Sequence, residues 1–239
     1  MLARRQVARH NRLMDIIDSL RSAWVPPHRA GLPFIIGGVV IFVVGLIVAG
    51  WLAWIGLAFV LFCLFFFRDP ARVMPARPDA VVAPADGRVV IVDQAVPPAE
   101  LGLPPVAMPR VAIFLSVLDV HVNRVPMAGM VTRIAYRHGT FANAAAKESE
   151  LNERNAIAIR LDSGAEIAVV QIAGLIARRI LCDIHEGDRV ATGARFGIIR
   201  FGSRTDLYLP PGSVPLVAVG QRMVGGETVI AALGTTLVL

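Results

Sequence analysis

Few side chains in this sequence can do chemistry at neutral pH, and they lie far apart. Ser203 follows Gly202 near the end of the chain, His121 lies in an apolar, β-like run, and Asp86 sits in an Ala-Asp-Gly turn. His138 precedes Gly139-Thr140-Phe141, and His185 opens a Glu-Gly-Asp turn. A serine hydroxyl becomes a nucleophile when a base takes its proton. Imidazole titrates near the working pH and is the usual base. Each residue also has an ordinary structural reading. Gly-Ser pairs are commonly turns, and an Asp before Gly commonly satisfies local backbone donors. A histidine in an apolar run is more often a satisfied core residue, and His185 reads as a surface turn. Cys63 and Cys182 have no metal-ligand spacing and no reason to pair. No metal is therefore expected, and a reducing compartment is inferred.

The elements that must position these residues are mostly strands. Short β-like runs fall at 81–82, 88–92, 111–116, 131–136, 156–161, 166–172, 178–184, 197–201, 214–218 and 228–232. Turn residues such as Asp162-Ser163-Gly164 and Pro210-Pro211-Gly212 separate most of them. This spacing predicts a mainly β domain, sandwich or barrel-like. Residues 142–154 carry helix formers and predict one helix or an ordered loop. Residues 68–80 are rich in Pro and Arg and read as a linker into a domain covering 81–239.

Ahead of that domain, residues 32–67 carry no charge. As one helix this run would be about 54 Å long, against a hydrocarbon core of about 30 Å. Two short spans, Leu32–Val48 and Trp51–Phe67, fit better, with a turn at Ala49-Gly50-Trp51. A re-entrant hairpin is the competing geometry. Arginines flank both outer ends and none lies at the turn, which places both ends on the cytoplasmic side. Residues 1–31 form a basic segment. Leu13, Ile16, Ile17, Leu20 and Trp24 recur there at helical spacing, as in an interfacial helix or a helix packed on the domain. A cleavable signal peptide does not fit, because the apolar run starts late and is too long.

The chain has 239 residues, 55% apolar, a formal charge of +6 and a single lysine, Lys147. A basic balance suits nucleic-acid binding, but no recognised motif or aromatic-spaced basic patch accompanies it, and that partner is not expected. The arginines at both ends of the apolar run point to a membrane surface instead.

Two turns, Ala83–Val90 and His185–Gly193, resemble the half-motifs of biotinyl/lipoyl-type domains, which fold as flattened β-sandwiches. The exposed turn lysine that such carriers modify is missing. Five segments, in order, resemble the short proteobacterial-type phosphatidylserine decarboxylase family, which is pyruvoyl-dependent. They are Phe66-Phe67-Arg68-Asp69-Pro70, Pro84-Ala85-Asp86-Gly87, Phe114 through Pro126, Asn152-Glu153-Arg154-Asn155, and Phe201-Gly202-Ser203. The resemblance implies self-cleavage between Gly202 and Ser203. The Ser203 hydroxyl attacks the Gly202 carbonyl, the resulting ester eliminates, and residue 203 ends as a pyruvoyl group. It further implies His121 as base and proton donor and Asp86 as the carboxylate that orients it. Arg124 and Arg154 are named for the lipid phosphate and His138 as a further substrate contact. Some larger members carry a second His three residues after the first, where this chain has Arg124.

The implied protein is a self-processing enzyme with a mainly β, biotinyl/lipoyl-like sandwich and an N-terminal α-helical membrane hairpin. Its larger chain would be 1–202 and its smaller chain 203–239. It would convert phosphatidylserine to phosphatidylethanolamine and CO2 on the cytoplasmic face of the bacterial inner membrane. Its partners would be the phospholipid, the bilayer and the two chains of one precursor, with a homo-oligomer left open. The rivals are a non-catalytic membrane adaptor with a lipoyl-like domain, and the same chemistry on another seryl lipid.

Overall fold

The computed structural model describes residues 25–139, 152–174, 179–200 and 203–234. The helical spacing read between Leu13 and Trp24 lies outside them, as do residues 142–151 of the expected helix or loop, together with Phe201 and Gly202. The chain divides into two compact units, Met1–Ala71 and Arg72–Leu239.

In the first unit, α1 (Leu32–Val48) and α2 (Gly50–Phe66) form a helical hairpin. Pro33 opens α1, where its missing N–H costs nothing. The hairpin turns at Ala49, which is extended. Glycines let the two helices touch. A Cβ at Gly45 would collide with the backbone of Ala53, and one at Gly56 with the backbone of Phe42. The outer faces expose apolar side chains, Ile47 and Trp54 most of all. With its preceding 3-10 turn, the first helix runs Arg29–Val48 and is long and apolar enough to cross a membrane, whereas Gly50–Phe66 is shorter.

The second unit is a β-sandwich. Its strands are β1 (Ala80–Val82), β2 (Gly87–Ala95), β3 (Met108–Leu115), β4 (Val122–Arg124), β5 (Gly129–Arg137), β6 (Arg154–Leu161) and β7 (Glu166–Ala173). There follow β8 (Ile180–Cys182), β9 (Arg189–Val190), β10 (Arg195–Ile199), β11 (Ser203–Tyr208), β12 (Arg222–Met223) and β13 (Val229–Ala232). Among the described residues they make an eight-stranded sheet, β12-β2-β3-β11-β7-β6-β5-β9, a three-stranded sheet, β4-β10-β8, and the pair β1-β13. The core lies between them. Ile113, Ile157, Ile159, Val169 and Leu207 of the large sheet pack with Phe196 of β10 and Ile230 of β13. The two lipoyl-like turns lead into β2 and β9, near opposite edges of the large sheet.

Two strand expectations need correction. Residues 214–218 are irregular, because Pro215 cannot donate to a ladder, and Val214 and Leu216 are exposed. Conversely, β11 runs through residues that were not among the expected strands, and it lies at the middle of the large sheet, wholly buried.

Candidate active site

Two chain segments cross between the same two sheets, side by side. One leaves β3 at Leu115, turns through Ser116–Asp119 and enters β4 at Val122. The other leaves β10 at Ile199 and enters β11 at Ser203. The register ties them at both ends: Ser203 opposes Leu115 in the large sheet, and Ile198 opposes Val122 in the small one. Between these anchors the Ile199 N–H donates to the His121 carbonyl at 3.3 Å. The fold thus brings the His121 segment against the segment that ends at Ser203, from positions 82 residues apart in sequence.

Ser203 is fully buried, and its Oγ has no hydrogen-bond partner among the described residues. A buried hydroxyl normally finds one, which makes this position a candidate site. His121 is equally buried. Its Nδ1 lies 2.9 Å from the Asp119 carbonyl. An Nδ1–H donated to that oxygen leaves Nε2 as the basic nitrogen. The Asp119 carboxylate in turn closes the turn, accepting from the Ser116 N–H at 2.8 Å and hydroxyl at 2.7 Å, and from Arg222 at 2.7 Å. One residue therefore caps the turn with its side chain and fixes the imidazole with its backbone.

The Asp86 carboxylate takes one terminal nitrogen of Arg72 at 2.9 and 2.8 Å and the Gly225 N–H at 2.8 Å. Among the described residues no hydrogen bond joins it to His121. Burial pushes its pKa above the usual carboxylate value, against the opposing pull of the Gly225 N–H and Arg72. Its turn is nonetheless tied to the histidine strand, because the Arg124 N–H donates to the Pro84 carbonyl at 2.8 Å. Gly87, the next residue, has φ +146°, and a Cβ there would strike the Phe114 carbonyl. A Gly87→Ala protein is expected to lose about 1–3 kcal/mol of stability, visible as a lower melting temperature. An unchanged melting temperature would show that the turn has room to relax.

The profile of the phosphatidylserine decarboxylase family matches residues 59–231, which include both crossing segments. The chain belongs to this family. A relative named phosphatidylserine decarboxylase proenzyme in Granulibacter bethesdensis is 64% identical over 221 residues, 92% of this chain and 91% of that protein. Proteins of the same name are 55% identical in Gluconobacter oxydans, over 92% of this chain and all of that one, and 53% in Mycobacterium tuberculosis, over 90% and 94%.

In this decarboxylase the other residues named from the sequence fall into different places. Arg124 is buried in β4, donating to the Gly193 carbonyl at 3.0 Å. Arg154 is ion-paired with Glu100, its Nε donating at 2.8 Å. His138 is exposed and packs edge-on against Tyr136, ring centres 4.9 Å apart. Asn152 and Glu153 brace the strand opposite the serine: the Asn152 amide donates to the Ala173 carbonyl at 2.8 Å, and the Ala173 N–H donates to the Glu153 carbonyl at 2.9 Å. Ala173 opposes Ser203. The buried Glu153 carboxylate also accepts the Tyr136 hydroxyl, whose pKa burial and that carboxylate raise to about 12. His185 lies in an exposed turn capped by Asp188.

Sequence reasoning missed a buried polar cluster that lies farther along β11, on the serine's side of the sheet. Thr205 shares the Ser203 face of β11, by the alternation of a strand. Gln171 opposes Thr205 on β7. Asn155 donates to Gln171 at 2.9 Å, and Gln171 donates to Asn123 on β4 at 2.7 Å. All are fully or almost fully buried. The available signal was a lone amide inside an apolar run, Gln171 within Glu166–Ala173. No group of three or more His, Cys, Asp or Glu residues that could hold a metal occurs among the described residues.

Proposed function

We propose that this chain cuts itself before Ser203 and then decarboxylates phosphatidylserine with a pyruvoyl group made from that residue. The observation that carries the reading is the buried, unpartnered Ser203 hydroxyl at the start of β11, beside the segment that holds His121. His121 Nε2 takes the hydroxyl proton as Oγ adds to the preceding carbonyl, and the C–N bond breaks as the nitrogen gains a proton. Loss of the Cα proton then expels the Gly202 carboxylate from Cβ and leaves dehydroalanine. Water converts this to the ketone and releases ammonia.

The site suits such a group, because its polar end offers donors at Asn123 and Thr205 that the described residues leave unfilled. Such a group, held at residue 203, would supply a carbonyl for the substrate amine and an electron sink for the loss of CO2. The chain's own residues bind, exclude water and return a proton, the last through His121. Asp86 serves as a positioning residue, holding Arg72 and Gly225 and aligning its turn with β4. Arg124, engaged with the Gly193 carbonyl, contributes to the wall of the site, whereas Arg154 stands in register with Ile172 and Arg204, on the sheet face away from Ser203, and His138, exposed just past β5, is given no role. The larger chain would be 1–202 and the smaller 203–239.

The helical hairpin supports a bilayer setting for a substrate that stays in the membrane. Both flanks of the apolar run are arginine-rich, which favours a cytoplasmic position for the catalytic domain at the inner membrane.

Purified protein is expected to show two fragments by denaturing mass measurement, the smaller starting at residue 203 with a blocked N-terminus that reacts with carbonyl reagents. Ser203→Ala is expected to give one intact chain without decarboxylase activity. Active wild-type protein that is a single uninterrupted polypeptide would overturn the proposal.

A further inference from the structure

The turn that leads to His121 shows apolar side chains to the outside. Val117 and Leu118 form its tip and are 37% and 66% exposed. Its polar residues close the turn from within. The Asp119 carboxylate accepts from the Ser116 N–H and hydroxyl, the Asp119 N–H donates to the Ser116 carbonyl at 2.9 Å, and Arg222 ties the carboxylate to β12. The tip is therefore held in place rather than loose.

A third exposed apolar residue stands at the same end of the sheet. β12 pairs with β2, Arg222 opposite Arg88. The Arg88 guanidinium donates to the Gly220 carbonyl at 2.7 Å, and the Gly220 N–H donates to the Val89 carbonyl at 2.8 Å. These bonds fix the chain around Gly220 along the start of β2, with Val219 63% exposed. β2 starts where β3 ends, since Arg88 opposes Phe114. Val117, Leu118, Val219 and the two arginines thus share the end of the large sheet at which Ser203 opposes Leu115.

The charges at this end have one sign. Arg88 and Arg222 are exposed. Across residues 87–89, 116–119 and 218–223 the one acid is Asp119, and its carboxylate is buried and already engaged. An apolar tip among arginines fits an anionic lipid surface. The apolar side chains enter the acyl boundary while the guanidinium groups stay level with the phosphates. Three exposed apolar side chains are too few for a stable protein interface, which takes about 20 residues a side. A bilayer accepts side chains singly.

We infer that this end of the β domain docks on an anionic bilayer, with Val117, Leu118 and Val219 dipping into the acyl boundary and Arg88 and Arg222 resting on lipid phosphates. What docking does for activity rests on the functional reading above. His121 lies three residues past Leu118, so contact at the tip sets the histidine turn against the membrane that holds the substrate.

The test uses the full chain in vesicles, with Trp24, Trp51 and Trp54 changed to Phe. In that background Leu118→Trp reports lipid contact through quenching by brominated acyl chains. Val106→Trp is the control, because Val106 is exposed and precedes β3, whose length of about 23 Å separates it from the turn. In vesicles containing phosphatidylglycerol, Leu118→Trp is expected to be quenched several-fold more than Val106→Trp. That quenching should fall about twofold when phosphatidylcholine replaces the anionic lipid. In the otherwise native chain, Val117→Ser, Leu118→Ser and Val219→Ser together are expected to raise the apparent KM for phosphatidylserine in vesicles about tenfold. Self-cutting, kcat and turnover of a water-soluble short-chain phosphatidylserine should stay within about twofold of wild type.

Equal quenching of the two tryptophan variants would overturn the docking, and so would quenching that ignores lipid charge. A serine variant slowed equally on bilayer and soluble substrate would also overturn it, since that is damage to the site. Wild-type dimers that the serine variant abolishes would assign the patch to a second copy and overturn it likewise. A wild-type chain that stays whole and inactive would overturn the functional reading, while the quenching comparison would still decide the docking.

Discussion

His121→Gln is expected to leave the polypeptide whole, with cutting slowed by about 100- to 10,000-fold. Glutamine keeps a comparable size in a position that is 0% exposed. Its amide can still meet the Asp119 carbonyl at the place where Nδ1 lies 2.9 Å away. What it cannot do is accept a proton from Ser203. The fold should therefore survive while the first chemical step fails. The measurement is the fraction of intact chain against time on a denaturing gel, beside a melting curve. A variant that is cut at the wild-type rate would remove His121 from the reaction and turn attention to other groups near the crossing. A variant that fails to fold would show as a lost melting transition, and the larger His121→Asn change in reach would then serve as the second probe of the same step.

The second large effect is expected on the opposite face of β11. Arg204 and Asp206 are buried there as a two-point pair, 2.7 and 3.0 Å apart, with Arg110 at 3.7 Å and Asp93 beyond it. Burial raises the Asp206 pKa despite Arg204. Asp206→Asn would leave two guanidinium groups facing a neutral side chain in a dry environment. Removing one member of a buried pair costs about 3–5 kcal/mol, which corresponds to a melting temperature lower by about 10 °C for a unit of this size. Arg204→Met combined with Asp206→Leu should recover much of that loss, because apolar replacement of both partners restores packing without stranding a charge. A melting temperature for Asp206→Asn within about 2 °C of wild type would show that water reaches the pair.

This same strand explains what could be read in advance and what could not. The hairpin was legible because nothing but membrane or core tolerates an uncharged run of that length. Its first helix falls at Leu32–Val48 as expected, and its second at Gly50–Phe66, one residue earlier than expected at each end. Strand β7, expected at 166–172 and found at Glu166–Ala173, was legible from its apolar run. Strand β11 was not, since Ser-Arg-Thr-Asp-Leu-Tyr carries no alternation of apolar and polar residues. Its polar side chains are buried on both faces: an ion pair on one side, the unpartnered Ser203 hydroxyl on the other. Periodicity reports water against oil, and here both faces are dry. The candidate site was legible in Ser203 and His121 through the motifs that hold them, and their roles remain the proposal made above. Asn123, Gln171 and Thr205 were hidden, because a lone amide or hydroxyl in a strand looks like surface until its neighbours are placed.

β11 lies between β3 and β7, which would shape the enzyme after the proposed cut. The shorter polypeptide would supply an interior rung of the large sheet, as well as β12 and β13, each laddered to a strand of the longer one. Separating the two pieces would mean dismantling the domain. Scission at the proposed point would therefore make a heterodimer that does not come apart on dilution, and the new chain end would inherit the rigidity of the strand it begins.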